Sequence, residues 1–230
     1  MQSDKHSEYQ KKFSQYAVEF RDGTFFVPGR SLKDGRLNKC FKILEGLPAG
    51  KLLDIGGGKG EFSKHLKHDI YLLDISEKCV AEAKKGGIRA KVHDASKKLP
   101  YPGESFDYVF AGEVIEHLID TDFFLSDCYR VLKPNGTLVL TTPNLGSIGN
   151  IGLLFFGKQP SWVDYRLGNA DHVRAYTISA LKHQVLHNGF SSVSITGSWI
   201  QPSKVLRGLG NSLGAACPKY AAHLIAVCKK

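Results

Sequence analysis

Three short strand-like runs in the first half of the chain, the first two of them apolar, each lead to an aspartate. They are Lys51-Leu52-Leu53-Asp54-Ile55, Ile70-Tyr71-Leu72-Leu73-Asp74, and Ile88 to His93 stopping at Asp94. The aspartates fall twenty residues apart, and helix-like segments separate the runs. Continuous apolar stretches of this length mark strands buried on both faces, and their alternation with helices marks a parallel sheet with crossover connections. An acid closing each strand places three carboxylates along one sheet edge.

The pattern continues. A helix is expected over Glu61 to Lys67, and Ser76 caps another that ends at Gly86-Gly87. Phe106 to Ala111 reads as a fourth strand, Thr121 to Leu132 as a helix, and Pro134-Asn135-Gly136 turns into a fifth strand, Thr137 to Thr142. Thr177 caps a helix ending at His187-Asn188-Gly189, and strands near 191–196 and 221–228 close the chain. Ahead of the core, helices are expected near 8–20 and 35–46. The expected class is α/β, a Rossmann-like doubly wound sheet with helices on both faces.

With 230 residues, one domain is the natural size. It divides into an N-terminal helical cap (1–48), a core (49–142), a lid or substrate insertion (143–176) and the C-terminal part of the sheet (177–230). A connection of thirty residues inside a compact domain points to a binding element. The run Ile151-Gly152-Leu153-Leu154-Phe155-Phe156, with Trp162 and Tyr165, reads as a lid helix burying one face, too short to span a bilayer. The five cysteines (Cys40, Cys79, Cys128, Cys217, Cys228) are scattered and read as reduced thiols. Without an apolar leader the N-terminus predicts a cytoplasmic protein that makes no stable membrane insertion. The net charge of +9 is spread in single residues and pairs, which disfavours a nucleic-acid footprint while leaving an anionic partner open.

The segment Asp54-Ile55-Gly56-Gly57-Gly58-Lys59-Gly60-Glu61 turns from strand to helix. Glycines at 56, 58 and 60 allow a sharp turn and close backbone approach to a ligand. Gly57 is harmless but loosens the loop. A dinucleotide fingerprint needs glycine where Glu61 stands, and a phosphate-binding loop needs a Gly-Lys-Ser/Thr that is absent. An acid beside a helix start also suits pyrophosphate poorly. Asp74 is placed to accept from a ribose diol and Asp94 from an adenine amino group. An adenosine ligand with no phosphate and a positive charge satisfies these constraints, which describes S-adenosylmethionine.

The order LDIGGGKGEF, YLLDIS, HDAS, FDYVFAGEVIEHL and VLKPNGTLVLTTPN resembles the class I S-adenosylmethionine-dependent methyltransferases over roughly residues 50–144. The resemblance implies seven strands with the last antiparallel. It also implies that Asp54 and Gly56 lie near the methionine group, Gly58 and Ile75 near the adenosine, Asp74 at the ribose, and Asp94 with Ala95 at the adenine. Glu113 is implied to lie near the transferred methyl.

A hydroxyl acceptor must lose its proton to a base or be acidified on a metal. Glu113, Glu116 and His117 fall within one helical turn and can face one side. They are read as shaping the cofactor site, or, with His172, as ligands for a divalent cation. That set resembles the small-RNA 3′-end 2′-O-methyltransferases, whose two Glu and two His hold magnesium or manganese, and less closely the ubiquinone-biosynthesis O-methyltransferases. Alternatively His172 or His117 acts as a general base without metal. The leading expectation is methylation of a small molecule on oxygen. The alternatives are 2′-O-methylation of an RNA end and a cofactor-binding protein without catalysis.

Overall fold

A computed structural model describes residues 35–161, 163, 172–198 and 214–230. The helix expected near 8–20, Trp162 and Tyr165 lie outside the described residues. In chain order the elements are α1 (Gly35–Glu45), β1 (Lys51–Ile55), β2 (Asp69–Asp74), α2 (Glu77–Lys85), β3 (Arg89–Val92), β4 (Phe106–Gly112), α3 (Thr121–Val131), β5 (Leu132–Pro143), α4 (Ile148–Phe155), α5 (Ile178–His187), β6 (Ser192–Ser198) and β7 (His223–Lys229). The strands form one seven-stranded sheet in the order β3-β2-β1-β4-β5-β7-β6. β1 to β5 pair in parallel, and β7 runs antiparallel to both β5 and β6. The expected class and the antiparallel last strand are both present.

Alternation along each strand divides the core into two layers. Leu53, Val109, Ala111, Leu138, Leu140 and Leu224 face α3 and α5, packing with Phe124, Leu125, Leu181 and Val185. Leu52, Tyr108, Phe110, Val139 and Ile225 face the other way, against Cys40 and Leu44 of α1 and against Phe62 and Leu66. On that second face Val80 and Ala83 of α2 cover Leu72 and Ala90. Four of the cysteines are buried, Cys217 is exposed, and all five are free thiols.

Helix starts follow their capping residues. Ser76 accepts from the Cys79 N–H, Asp120 from Phe123, Ser147 from Asn150 and Thr177 from Ala180. The expected helix over Glu61 to Lys67 is reduced to a single 3₁₀ turn, Ser63–His65. The chain must travel from the glycine loop at one sheet edge to Asp69, paired with Lys51, at the other. The turn at Pro134-Asn135-Gly136 is absorbed into β5: Asn135 takes φ 63°, and the pairing with β4 shifts register between Phe106 and Tyr108.

Candidate active site

Because β1 to β5 are parallel, Ile55, Asp74, Val92, Gly112 and Pro143 end at one edge, and antiparallel β7 brings His223 there opposite Pro143. In an open α/β sheet this is the edge where ligands bind. The glycine loop leaves β1 there with Gly56 at φ 71°, and its N–H bonds the Leu73 carbonyl at 2.7 Å. Gly57 is not the loose position the sequence suggested. A Cβ there would lie 2.5 Å from Asp54 Oδ2 and 2.6 Å from Leu72, so buried Asp54 can reach under the loop only beside glycine. Asp74 is also buried; its Oδ2 accepts the Gly58 N–H at 2.8 Å and its Oδ1 the Ser76 N–H at 2.9 Å. Ile75 follows directly between Asp74 and the cap residue Ser76.

Asp94 closes its own turn, Oδ1 accepting from the Ser96 N–H at 2.9 Å, with Ala95 part-buried between them. The loop beyond is clamped by α3. Asp127 accepts from the Leu99 N–H at 2.6 Å, and Arg130 donates to the Tyr101 carbonyl at 2.8 Å. Asp54, Gly56, Gly58, Asp74, Ile75, Asp94 and Ala95 thus share one edge, as a nucleoside cofactor requires. The tight glycine turn and the three acids fit S-adenosylmethionine, whose adenosine carries hydroxyl and amino donors and no phosphate.

Glu113 is held by side chains from three other elements. It follows β4 with φ 57°, a left-handed conformation rare for a residue with a side chain. Its Oε1 takes a 2.7 Å ion pair from Arg36 of α1 and a 2.8 Å hydrogen bond from the Thr141 hydroxyl, while its Oε2 lies 3.7 Å from His223. Burial alone would push its carboxyl up, but Arg36, His223 and Thr141 together hold it below the ordinary carboxylate range. Arg36 was missed at the level of sequence, because nothing local separates it from other arginines; only the packing of α1 across the sheet brings it to this edge.

Glu116 contrasts with it sharply. It sits in a 3₁₀ turn, Ile115–His117, and is 1% exposed. Neither carboxylate oxygen makes a well-formed hydrogen bond among the described residues, although the Thr142 hydroxyl and its own backbone N–H lie close enough to favour its ionised form slightly. Burial, reinforced by the negative charge of Glu113, raises its carboxyl well above the ordinary value. His117 and His172 lie beside it, their rings 4.7 Å apart and inclined at 71°. One ligand atom from each of Glu116, His117 and His172 falls within 4.8 Å of the others. His172 arrives by backbone pairing, since Val173 and Arg174 donate to the Glu116 carbonyl at 2.9 and 3.1 Å. Three of the four suggested cation ligands therefore converge, while Glu113 is engaged by Arg36. One carboxylate and two imidazoles suit a divalent cation of intermediate hardness.

Residues 53–140 match the family model described as "Methyltransferase domain". That segment carries the glycine loop and the strand-end acids, and the seven-stranded sheet around it is similar to the fold of class I S-adenosylmethionine-dependent methyltransferases. The chain is 36% identical over 118 residues to a ubiquinone biosynthesis O-methyltransferase of Sinorhizobium medicae, covering 48% of this chain and 46% of that protein. It is 29% identical over 155 residues to the protein of that name from Pelagibacter ubique, covering 58% and 63%. The chain thus spans about half the length of the curated relatives it matches. The fold is similar to that of a Thermotoga maritima protein described as a SAM-dependent methyltransferase, possible histamine N-methyltransferase. That likeness has a TM-score of 0.68 at 20% identity and covers 96% of this chain and 99% of the other.

Proposed function

We propose that this protein methylates a hydroxyl of a small-molecule acceptor, using S-adenosylmethionine, with Glu116, His117 and His172 holding a divalent cation at the acceptor. The observation that carries the reading is a buried carboxylate without a well-formed hydrogen bond among the described residues, set against two imidazoles at the edge that bears the glycine loop. A buried ionised group is costly unless a cation or hydrogen bonds compensate it, and here the surroundings provide two further ligands instead. The relatives whose names specify O-methylation favour oxygen as the acceptor atom.

S-adenosylmethionine supplies an electrophilic methyl group, and a divalent cation would supply Lewis acidity toward an acceptor hydroxyl. The chain's own part is alignment and proton handling. Asp54 and Gly56 hold the methionine end, Gly58 and Ile75 the adenosine, Asp74 the ribose hydroxyls, and Asp94 with Ala95 the adenine. Glu113, kept ionised by Arg36, places a fixed negative charge near the sulfonium. As ligands of the cation, His117 and His172 would orient the acceptor oxygen beside it; an imidazole lone pair is open to receive the acceptor's proton only where no cation is bound.

Incubating the protein with labelled cofactor and a panel of phenols and alcohols, followed by mass spectrometry, tests the reading. Labelled ether products that disappear with EDTA and return with magnesium, manganese or zinc support it. Full turnover in chelator removes the cation, and no change in melting temperature with saturating S-adenosylhomocysteine removes the cofactor.

A further inference from the structure

The helix α4 is built inside out. Its one buried side chain is the polar Asn150, whose Nδ2 donates to the Asn144 carbonyl at 3.1 Å and whose Oδ1 accepts the Ser161 N–H at 2.9 Å. Its apolar residues other than part-buried Leu153 are exposed. Ile148, Ile151 and Leu154 are about half exposed, Phe155 is 83% exposed and Phe156 75%. The two phenylalanine rings pack on each other, centroids 5.3 Å apart. The expectation of a lid helix burying an apolar face fails here, because the hydrogen bonds of Asn150 fix the opposite face inward. Five contiguous exposed apolar side chains are more than ordinary surface scatter.

The charge around the helix selects among partners. From Leu145 to Val163 the sole charged residue is Lys158, and there is no acid. Lys219 stands exposed beside the start of the helix, its carbonyl accepting from Asn144 Nδ2 at 3.0 Å. Arg174 is engaged elsewhere, its guanidinium donating to the Ile119 carbonyl. A second copy docked symmetrically would set this basic flank against itself, with no acid of the segment's described residues to meet it. An anionic lipid surface meets both requirements, taking apolar side chains at the headgroup boundary and lysines at the phosphates.

We propose that α4 is a docking element for an anionic bilayer surface, with Leu154, Phe155 and Phe156 entering the interface and Lys158 and Lys219 at the phosphates. Ser147 caps the helix just past the end of β5, so docking sets the edge carrying Glu116 toward the lipid. On the proposed methyl-transfer reading, which this consequence alone rests on, the acceptor is then an apolar molecule drawn from the membrane.

The test is co-sedimentation of the full chain with phosphatidylcholine vesicles, with and without phosphatidylglycerol, in the absence of any acceptor. Binding is expected to need phosphatidylglycerol, to weaken with salt, and to fall at least about tenfold in the double variant Phe155→Ser/Phe156→Ser. Lys158→Glu is expected to reduce it severalfold. An unchanged S-adenosylhomocysteine melting shift shows that the double variant is folded. No binding to phosphatidylglycerol vesicles, or equal binding by the double variant, overturns the proposal. So does a dimer in gel filtration that the double variant dissociates, or a lower melting temperature in that variant, which would mean the chain itself covers this face. Since neither turnover nor cofactor is needed, failure here leaves the methyl-transfer reading standing, and loss of that reading leaves lipid binding measurable.

Discussion

The two halves of the sheet edge handle their carboxylates in opposite ways. On the side of β1 to β3, Asp74 spends both oxygens on backbone N–H groups, Asp94 closes its own turn, and Asp127 with Arg130 locks the loop between. On the side of β4 and β5, Glu116 is buried without a well-formed hydrogen bond among the described residues, Glu113 sits in a strained conformation, and α4 presents its apolar residues outward. In the first half the Asp74 and Asp94 carboxylates are satisfied by backbone N–H groups without a ligand and so are held in a fixed pose, although His93 Nε2 and the Ser96 and Tyr101 hydroxyls there have no hydrogen-bond partner among the described residues. The second stores unsatisfied groups, which persist only where something else completes them. A scaffold settled on one side and expectant on the other matches a reaction with an invariant donor and a particular acceptor.

The strongest way to break that contrast is Asp74→Ala. It removes a buried acceptor of two N–H bonds and the expected ribose partner together. Loss of charge-assisted hydrogen bonds of this kind costs about 3 kcal/mol, roughly a hundredfold in S-adenosylhomocysteine affinity by calorimetry. Cation binding at Glu116 should be unchanged. If instead the cation weakens and the nucleoside does not, the halves have been assigned the wrong way round.

The reason Asp74 could be found from sequence is the reason its half is settled. Apolar strand, acid, turn and capped helix are all local signals, and here each agrees with the tertiary fold. Asp54, Asp94 and the glycine loop share that property, as do Ser76 and Thr177 as caps. Gly57 was visible but misjudged, since its need comes from a contact with Asp54 across the turn rather than from its own conformation. In the other half, local rules break. Arg36 reaches Glu113 only through the packing of α1, and Asn150 turns α4 over through two bonds no helical pattern reveals. Glu116 and His117 were legible as a pair, and His172 as a partner. The separation of Glu113 from them was not, because an ion pair between residues 36 and 113 leaves no mark in spacing.

Gly57→Ala tests how tightly the settled half is built. The added Cβ must displace Asp54 or Leu72, and overpacking of this kind costs about 2 kcal/mol, a melting-temperature loss of roughly 4–8 °C in a domain of this size. Calorimetric melting checks it, and a variant as stable as the parent would mean the loop gives way easily. His172→Ala probes the other side. It should weaken magnesium, manganese or zinc binding by at least roughly tenfold in titration calorimetry while leaving the S-adenosylhomocysteine melting shift intact. A variant that loses the nucleoside as well would show that residues 172–176 serve the cofactor.

The smallest effect bears most directly on whether the orphan carboxylate is kept for a ligand. In chelator-treated protein, Glu116 ionises near 4.5 when unfolded but well above that when folded, because of burial and the charge of Glu113. Between those two values the folded protein holds the extra proton, so stability is full below about pH 4.5 and is lost as pH rises through the folded value. Glu113, held low by Arg36, titrates below this window in both proteins. Glu116→Gln removes the ionisable group while keeping its shape. Urea unfolding should therefore find the variant equal to the parent near pH 4 and more stable by about 1 kcal/mol or more at pH 8. Adding manganese at pH 8 should stabilise the parent and not the variant, reversing the order of the two. Parallel stability curves, with manganese acting equally on both, would mean that Glu116 has a partner after all and that this half of the edge is as settled as the other.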